Sequence, residues 1–301
     1  MEGALDLRRS VGAWALGPRD PTLRARAREA VLASDTPEGP ATLAARLAAP
    51  GRLEARAWGP GAAWILARAG AVLGTDDAPP EPPARLRPFA DRAPGLRLAR
   101  APRLVGLLAR LVLQQKVSGK EAARGWCSLV AHFAPAAPGP FPALRLPLGA
   151  ESLARIPMAA FPALGILARQ GGALRSLAAR AARIEEAASL PHAEAARRLR
   201  SLPGLGPWTV GSALLLGMGC ADAVPLGDLH LPGLVGFALA GEPHADDARM
   251  LELLAPFTGQ RGRAVRWILA GAALPPRRGP RHPLRPVRGR AAVARLARRD
   301  A

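Results

Sequence analysis

Leu202-Pro203-Gly204-Leu205-Gly206-Pro207-Trp208-Thr209-Val210 is the stretch on which the fold reading turns. An apolar-periodic segment ends at Leu199 to Leu202, a Pro-Gly-x-Gly turn follows, and a new helix is predicted to start at once after Gly206. Two glycines permit backbone geometry that other residues resist and leave amides uncovered. Amides at a helix N-terminus attract phosphate. Gly204, Leu205 and Gly206 are therefore candidates to grip a nucleic-acid backbone without reading its sequence. Taken alone, the turn is a moderate signal, and an ordinary connection between two helices is the lesser alternative.

Working outward, Val224-Pro225-Leu226-Gly227-Asp228-Leu229-His230-Leu231 follows the second helix of this hairpin. The apolar approach breaks at Pro225 and Gly227, and an acid then opens another helix. Asp228 fits an N-cap, where aspartate is favoured. It also stands twenty positions after Trp208, room for one helix and a return turn, which places its carboxylate beside the hairpin. Upstream, Leu104 to Val117 carries apolar residues at three- and four-residue spacing, which predicts a helix. Further helices are predicted over Ser118 to Phe133, Ser152 to Arg155, Met158 to Arg169, Gly172 to Ala188, His192 to Leu199, Gly206 to Met218, Leu229 to Ala240, Ala245 to Ala255 and Arg261 to Ala272. Pro135 to Gly149 is a proline-rich loop.

The N-terminal part differs. Short apolar runs at Val11 to Leu16, Ala41 to Leu47 and Leu53 to Trp58 alternate with turn clusters and predict a small sheet, followed by a helix near Gly61 to Leu73. Asp76 to Pro83, rich in proline and acid, reads as the linker. The expectation is a mainly α protein, α+β overall. It comprises a small β-rich domain over residues 1–80, a helical bundle split by a cleft over residues 84–274, and a basic Arg/Pro-rich tail over residues 275–301. The tail reads as a disordered solvated segment or as an extra phosphate-contacting arm.

Composition narrows the partners. The 301 residues hold 42 Lys+Arg against 23 Asp+Glu, a formal net charge of +19. That excess favours a polyanion, most simply nucleic acid. A GC-rich coding sequence accounts for arginine over lysine, with Lys116 and Lys120 the only lysines. It does not account for the scarcity of acids. Two cysteines, Cys127 and Cys220, cannot build a four-cysteine zinc or iron-sulfur site. No apolar run approaches the roughly 20 residues of a membrane span. With no secretory leader pattern at the N-terminus, a cytoplasmic, nucleoid-associated setting without membrane contact is expected.

The hairpin and the downstream acid together resemble the helix-hairpin-helix, Gly-Pro-Asp superfamily of DNA glycosylases, within it the bacterial 3-methyladenine DNA glycosylase II group. The likeness covers roughly Ala84 to Ala272 and, more weakly, the N-terminal sheet. It implies a catalytic aspartate at Asp228. It also implies double-stranded DNA with a damaged base as partner, and release of alkylated purines such as 3-methyladenine and 7-methylguanine by base flipping in base excision repair. Relatives that also nick the strand carry a lysine where Trp208 stands, so the resemblance implies no lyase activity. Its pocket residues fall on Trp208 and Trp267 as stacking platforms, on Ser212 where the family has an aromatic, and on His230 beside the acid. Trp267 is also readable as core, and His230 as a surface or supporting histidine. The family's wedge motif falls on Gln115, Lys116 and Ser118. Either Gln115 or Lys116 plugs the gap left by the flipped base, or Lys116 contacts a phosphate. The implied cation site, for Na+ or K+, uses the backbone carbonyls of Arg200, Leu202 and Leu205; catalysis needs no cofactor, and a monomer suffices. Arg124, Arg169, Arg175, Arg261 and Arg263 are further candidates for phosphate.

Two other readings stand beside this one. Ser212 and Lys116 also suit a glycosylase for deaminated or oxidised bases. A non-catalytic hairpin that only holds DNA would have no use for an acid at Asp228.

Overall fold

The computed structural model describes residues 4–49, 51–274 and 284. The basic tail expected over 275–301 therefore lies, Leu284 apart, outside the described residues.

The chain opens with α1 (Leu7–Ser10) and a 3-10 turn (Val11–Trp14). Next come four strands, β1 (Leu23–Ala25), β2 (Glu29–Thr36), β3 (Gly39–Ala49) and β4 (Arg52–Trp58), as an antiparallel meander in the order β1-β2-β3-β4. Leu32 pairs with Leu43 and Leu43 with Ala57, and Leu32 and Leu43 are both buried. Period-two alternation sets one face of this sheet against the helices.

The helices are α2 (Ala62–Leu66), α3 (Ala69–Leu73), α4 (Arg87–Asp91), α5 (Leu104–Gln114) and α6 (Gly119–Phe133). After the proline-rich loop come α7 (Ala150–Arg155), α8 (Ala160–Ala163), α9 (Ala168–Ala179), α10 (Ala181–Ala187) and α11 (His192–Arg200). Then α12 (Pro207–Gly217), α13 (Leu231–Ala240), α14 (Asp247–Leu254) and α15 (Arg261–Gly271) complete the bundle. The fold is α+β and mainly helical, as the sequence predicts.

Several element predictions need correction. Val11 to Leu16 is not a strand. Asp6 caps α1 by accepting from the Arg9 amide at 2.9 Å, and the chain runs on into the 3-10 turn. Val11, Trp14 and Leu16 are all buried there, and a short apolar run carries no periodicity that separates strand from helix. The sheet instead takes β1 and β2, which no sequence signal marked. The helix expected over Gly61 to Leu73 is broken at Ala67 and Arg68. That expected over Met158 to Arg169 breaks at Gly165, whose φ is +76°.

The sheet and the bundle share one hydrophobic core. Leu7, Val11, Leu32 and Leu43 cluster with Leu108, Trp126, Leu174 and Val210. A second core joins Leu86, Val235, Met250, Phe257 and Trp267 at the other end. The acidic, proline-rich linker is itself fastened: Asp77 accepts from the Leu98 amide at 2.8 Å and from both terminal nitrogens of Arg263 at 2.8 and 2.6 Å.

The first segment reaches across the fold into the helical bundle. Trp14 donates its indole N–H to the Leu216 carbonyl at 2.7 Å, and Arg266 donates to the Arg9 carbonyl at 2.6 Å. Residues 9–16 are thereby wedged between α12 and α15.

Candidate active site

The hairpin forms as its residues dictate, but its two glycines differ. Gly204 has φ +85°, and a Cβ there would stand 2.8 Å from the Ala173 Cβ on α9. Glycine is needed at this position on both counts. Gly206 has an extended backbone, and a Cβ would meet nothing within 4 Å. Its bareness leaves the start of α12 open, as an anion site requires. Pro207 takes the first helical position, and the first intrahelical bond runs from the Val210 amide to the Gly206 carbonyl. The amides of Trp208 and Thr209 precede that bond and point out of the helix end.

One turn into α12, a Cβ on Gly211 would lie 2.6 Å from the Val224 carbonyl oxygen. This close approach seats the Val224–Pro225 backbone against α12 and brings Asp228 to Trp208. The Asp228 carboxylate then accepts three bonds. Oδ2 takes the Trp208 indole N–H at 2.7 Å, and Oδ1 takes the His230 and Leu231 amides at 2.8 and 2.9 Å. Asp228 is not the N-cap of α13, a position His230 takes. It stands two residues earlier, where one oxygen accepts the first amides of the turn into that helix and the other accepts the hairpin's tryptophan. Leu229, between them, is 87% exposed.

Trp208, Ser212, Asp228 and His230 share one cavity of about 260 Å³. It is walled by α5 through Leu111 and Gln114, by α15 through Val265, Arg266 and Leu269, and by Ala13 to Ala15 of the N-terminal segment. Sequence reasoning missed the N-terminal wall and Arg266.

Trp267 requires a correction. It is 5% exposed and packs in the second core with Val235 and Phe257, away from the cavity. A residue's angular step on a helix is about 100°, so the cavity face of α15 falls to its neighbour Arg266.

The wedge candidates separate as well. Gln115 donates from Nε2 to the Gly204 carbonyl at 2.9 Å and to the Thr209 hydroxyl at 3.0 Å. It clamps the hairpin. Lys116 is exposed at the tip with φ +54°, the only such non-glycine among the described residues. Ser118 is the N-cap of α6 in a capping box with Glu121. Of the arginines offered for phosphate, Arg261 is paired with Asp222 and stays partly exposed, while Arg263 is buried against Asp77. Arg175 donates to the Ala154 carbonyl, and Arg169 is exposed.

The carbonyls of Arg200, Leu202 and Leu205 lie at the end of α11 and in the turn, where the Leu205 amide folds back on the Leu202 carbonyl at 3.2 Å. Among the described residues, no group of three or more His, Cys, Asp or Glu forms a metal cluster. No described helix is long and apolar enough to cross a membrane.

Solved structures share this architecture. A 3-methyladenine DNA glycosylase from Archaeoglobus fulgidus superposes with a TM-score of 0.74 at 17% identity, over 90% of this chain and 95% of that one. The chain shares the fold of this solved glycosylase. An 8-oxoguanine glycosylase/lyase from Clostridium acetobutylicum, in complex with double-stranded DNA, matches at 0.67 and 11% identity, over 89% of this chain and 91% of that one. The Schizosaccharomyces pombe 3-methyladenine DNA glycosylase, in complex with abasic DNA, matches at 0.51 and 19% identity, over 62% and 90%. No family model matches the sequence, and no curated protein does.

Proposed function

We propose that this protein is a monofunctional DNA N-glycosylase. It flips a damaged base from double-stranded DNA into the Trp208–Asp228 cavity and hydrolyses its glycosidic bond. The observation that carries this is the carboxylate of Asp228. It is held rigid by three donors at the wall of a base-sized cavity, beside a hairpin shaped for phosphate.

A base must leave the stack before its bond to the sugar can be reached. Cleavage builds positive charge on the sugar. A carboxylate fixed beforehand stabilises that charge without reorganising at the moment of reaction. Asp228 meets this condition: no ion pair with it occurs among the described residues, so its charge is not spent on a cation. It would also orient the attacking water. Lysine is absent from position 208, so an imine intermediate there has no amine, and the enzyme would not nick the strand. The hairpin carbonyls of Arg200, Leu202 and Leu205 would hold Na+ or K+ as a bridge to phosphate, without a part in the chemistry. A monomer carries every group this reading uses.

For the base itself, Trp208 supports alkylated purines, since a cationic ring stacks well on an indole. The second expected platform, Trp267, does not reach the cavity. A deaminated or oxidised base is the second reading, favoured by Arg266 in the cavity wall.

The test is base release from duplexes that each carry one lesion, comparing the wild type with Asp228→Asn. Removing one preorganised electrostatic group costs on the order of 10²–10³ in rate. A loss of that size with DNA binding retained is expected. Equal release by both proteins would remove Asp228 from the chemistry.

A further inference from the structure

The cavity wall holds a charge, Arg266, that forms no ion pair among the described residues. Arg266 donates Nη2 to the Arg9 carbonyl, while its Nε is buried with no partner. Two neighbouring arginines show the usual solution. Arg263, on the same helix, forks onto Asp77. Arg110, which also lines the cavity, lies over the Trp126 ring at 4.3 Å and 3.7 Å from Asp20, so its charge is offset although its Nε, too, lacks a hydrogen bond. Arg266 has neither a carboxylate nor a ring among the described residues. Burial alone pushes its guanidinium down to about 10, which still leaves it charged at neutral pH.

Arg266 as a whole is half-buried, but a buried guanidinium N–H without an acceptor is costly until something supplies one. Its planar fork suits a carbonyl oxygen, best with a ring nitrogen beside it. A base entering the cavity brings such acceptors on its edge. A purine that is already a cation brings a like charge up to this guanidinium, and like charges at close range repel.

We propose that Arg266 determines base specificity: it selects an uncharged lesion that presents a carbonyl oxygen, a deaminated or oxidised purine, over cationic N-methylated purines. This rests on the glycosylase reading of the Asp228 cavity. Hypoxanthine and 8-oxoguanine share the required carbonyl and are separate arms of the test.

The experiment measures single-turnover base release from duplexes with one hypoxanthine or one 8-oxoguanine, and from dimethyl sulfate-treated DNA, for wild type, Arg266→Met and Arg266→Lys. Met keeps the length of the side chain and removes charge and donors; Lys keeps the charge and removes the fork. Wild type is expected to release at least one of the two carbonyl bases faster than the methylated purines. Arg266→Met should slow that release by roughly five- to a hundredfold, the size of a lost bidentate contact, and raise the relative release of methylated purines. Arg266→Lys should lose the carbonyl base and stay poor on the cations. An unchanged ratio of carbonyl to cationic release in Arg266→Met, with methylated purines released well, overturns the inference and leaves the glycosylase reading standing. If wild type releases no base at all, that reading falls, and the inference is judged on binding. Equal preference of wild type and Arg266→Met for hypoxanthine or 8-oxoguanine duplex over undamaged duplex then overturns it too. Unfolding curves for each variant separate a misfolded protein from a changed cavity.

Discussion

Asp20 and Asp228 each accept a hydrogen bond from a tryptophan indole, Trp126 at 3.0 Å and Trp208 at 2.7 Å. Both also take backbone amides a few residues away. Asp20 takes Leu16 and Thr22, and Asp228 takes His230 and Leu231. The difference lies in what else surrounds them. Asp20 is buried, accepts the Thr22 hydroxyl at 2.6 Å and faces Arg110. Burial would raise its pKa, but Arg110, the Thr22 hydroxyl and the two amides outweigh that and hold it below the ordinary carboxylate range. Its charge is used up in holding α5, α6 and the N-terminal segment together. Asp228 has a similar orienting shell, forms no ion pair among the described residues, and opens on a cavity. Similar local wiring thus serves structure in one place and leaves a charge available for chemistry in the other.

Removing each acid should therefore break different things. Asp20→Ala leaves Arg110 buried without its partner, and breaking a buried pair costs about 3–5 kcal/mol. Denaturant unfolding should show a loss of that size. A change under about 1 kcal/mol would mean that Arg110 finds another acceptor. Asp228→Asn should cost less stability, about 1–3 kcal/mol, because the amide oxygen still accepts the two backbone amides while its NH2 faces the Trp208 indole N–H and loses that bond. Its larger effect should fall on base release, at about 2.7–4 kcal/mol of barrier. A variant that unfolds readily would turn Asp228 into a structural residue like Asp20.

Trp208→Phe sharpens the comparison further, since it keeps a ring in the cavity wall and deletes only the bond to Oδ2. A hydrogen bond to a charged group is worth about 1.5–3 kcal/mol, so base release should fall roughly ten- to a hundredfold. Single-turnover rates on one lesion duplex measure this. An unchanged rate would show that the two amides alone aim the carboxylate.

The legibility of each feature in the sequence depends on how local its cause is. The hairpin and the turn before Asp228 are written in glycine and proline chemistry within a few residues, so both were readable. The cavity's back wall is not local. The Trp14–Leu216 bond spans 202 positions and the Arg266–Arg9 bond 257, and no periodicity connects such residues. Trp267 shows a sharper limit: a one-position slip along α15 exchanges a core tryptophan for a cavity arginine. The strands β1 and β2 were invisible because Leu23-Arg24-Ala25 is too short, and Ala30 to Ser34 too alanine-rich, to show alternation. Gln115 stood out in the sequence through its motif, but its bonds to Gly204 and Thr209 could not be read there, because these partners lie across the fold.

A third carboxylate tests the comparison from the opposite direction. Asp35 is half-buried where Asp20 is buried, forms no ion pair among the described residues, and keeps a buried Oδ1 with no partner. Burial dominates and pushes its pKa up to about 6, with Arg103 and Arg110 only partly opposing it and Glu185 adding to it. A carboxyl whose folded pKa exceeds its unfolded value stabilises the fold when protonated and loses that contribution as pH rises through the folded value. For Asp20, depressed instead, the contribution is present above its ordinary range and is lost as pH falls through the folded value. Between pH 5 and pH 7 the two acids therefore behave differently: Asp20 is flat and Asp35 is not. Asp35→Asn removes the titrating group. The stability of this variant relative to wild type should rise by on the order of 1 kcal/mol from pH 5 to pH 7, read from unfolding curves at the two pH values. A difference that stays constant would mean that Asp35 is ionised throughout that window, held by Arg103 and Arg110 as Asp20 is held by its own partners. The contrast between a spent and an unspent carboxylate would then rest on Asp228 alone.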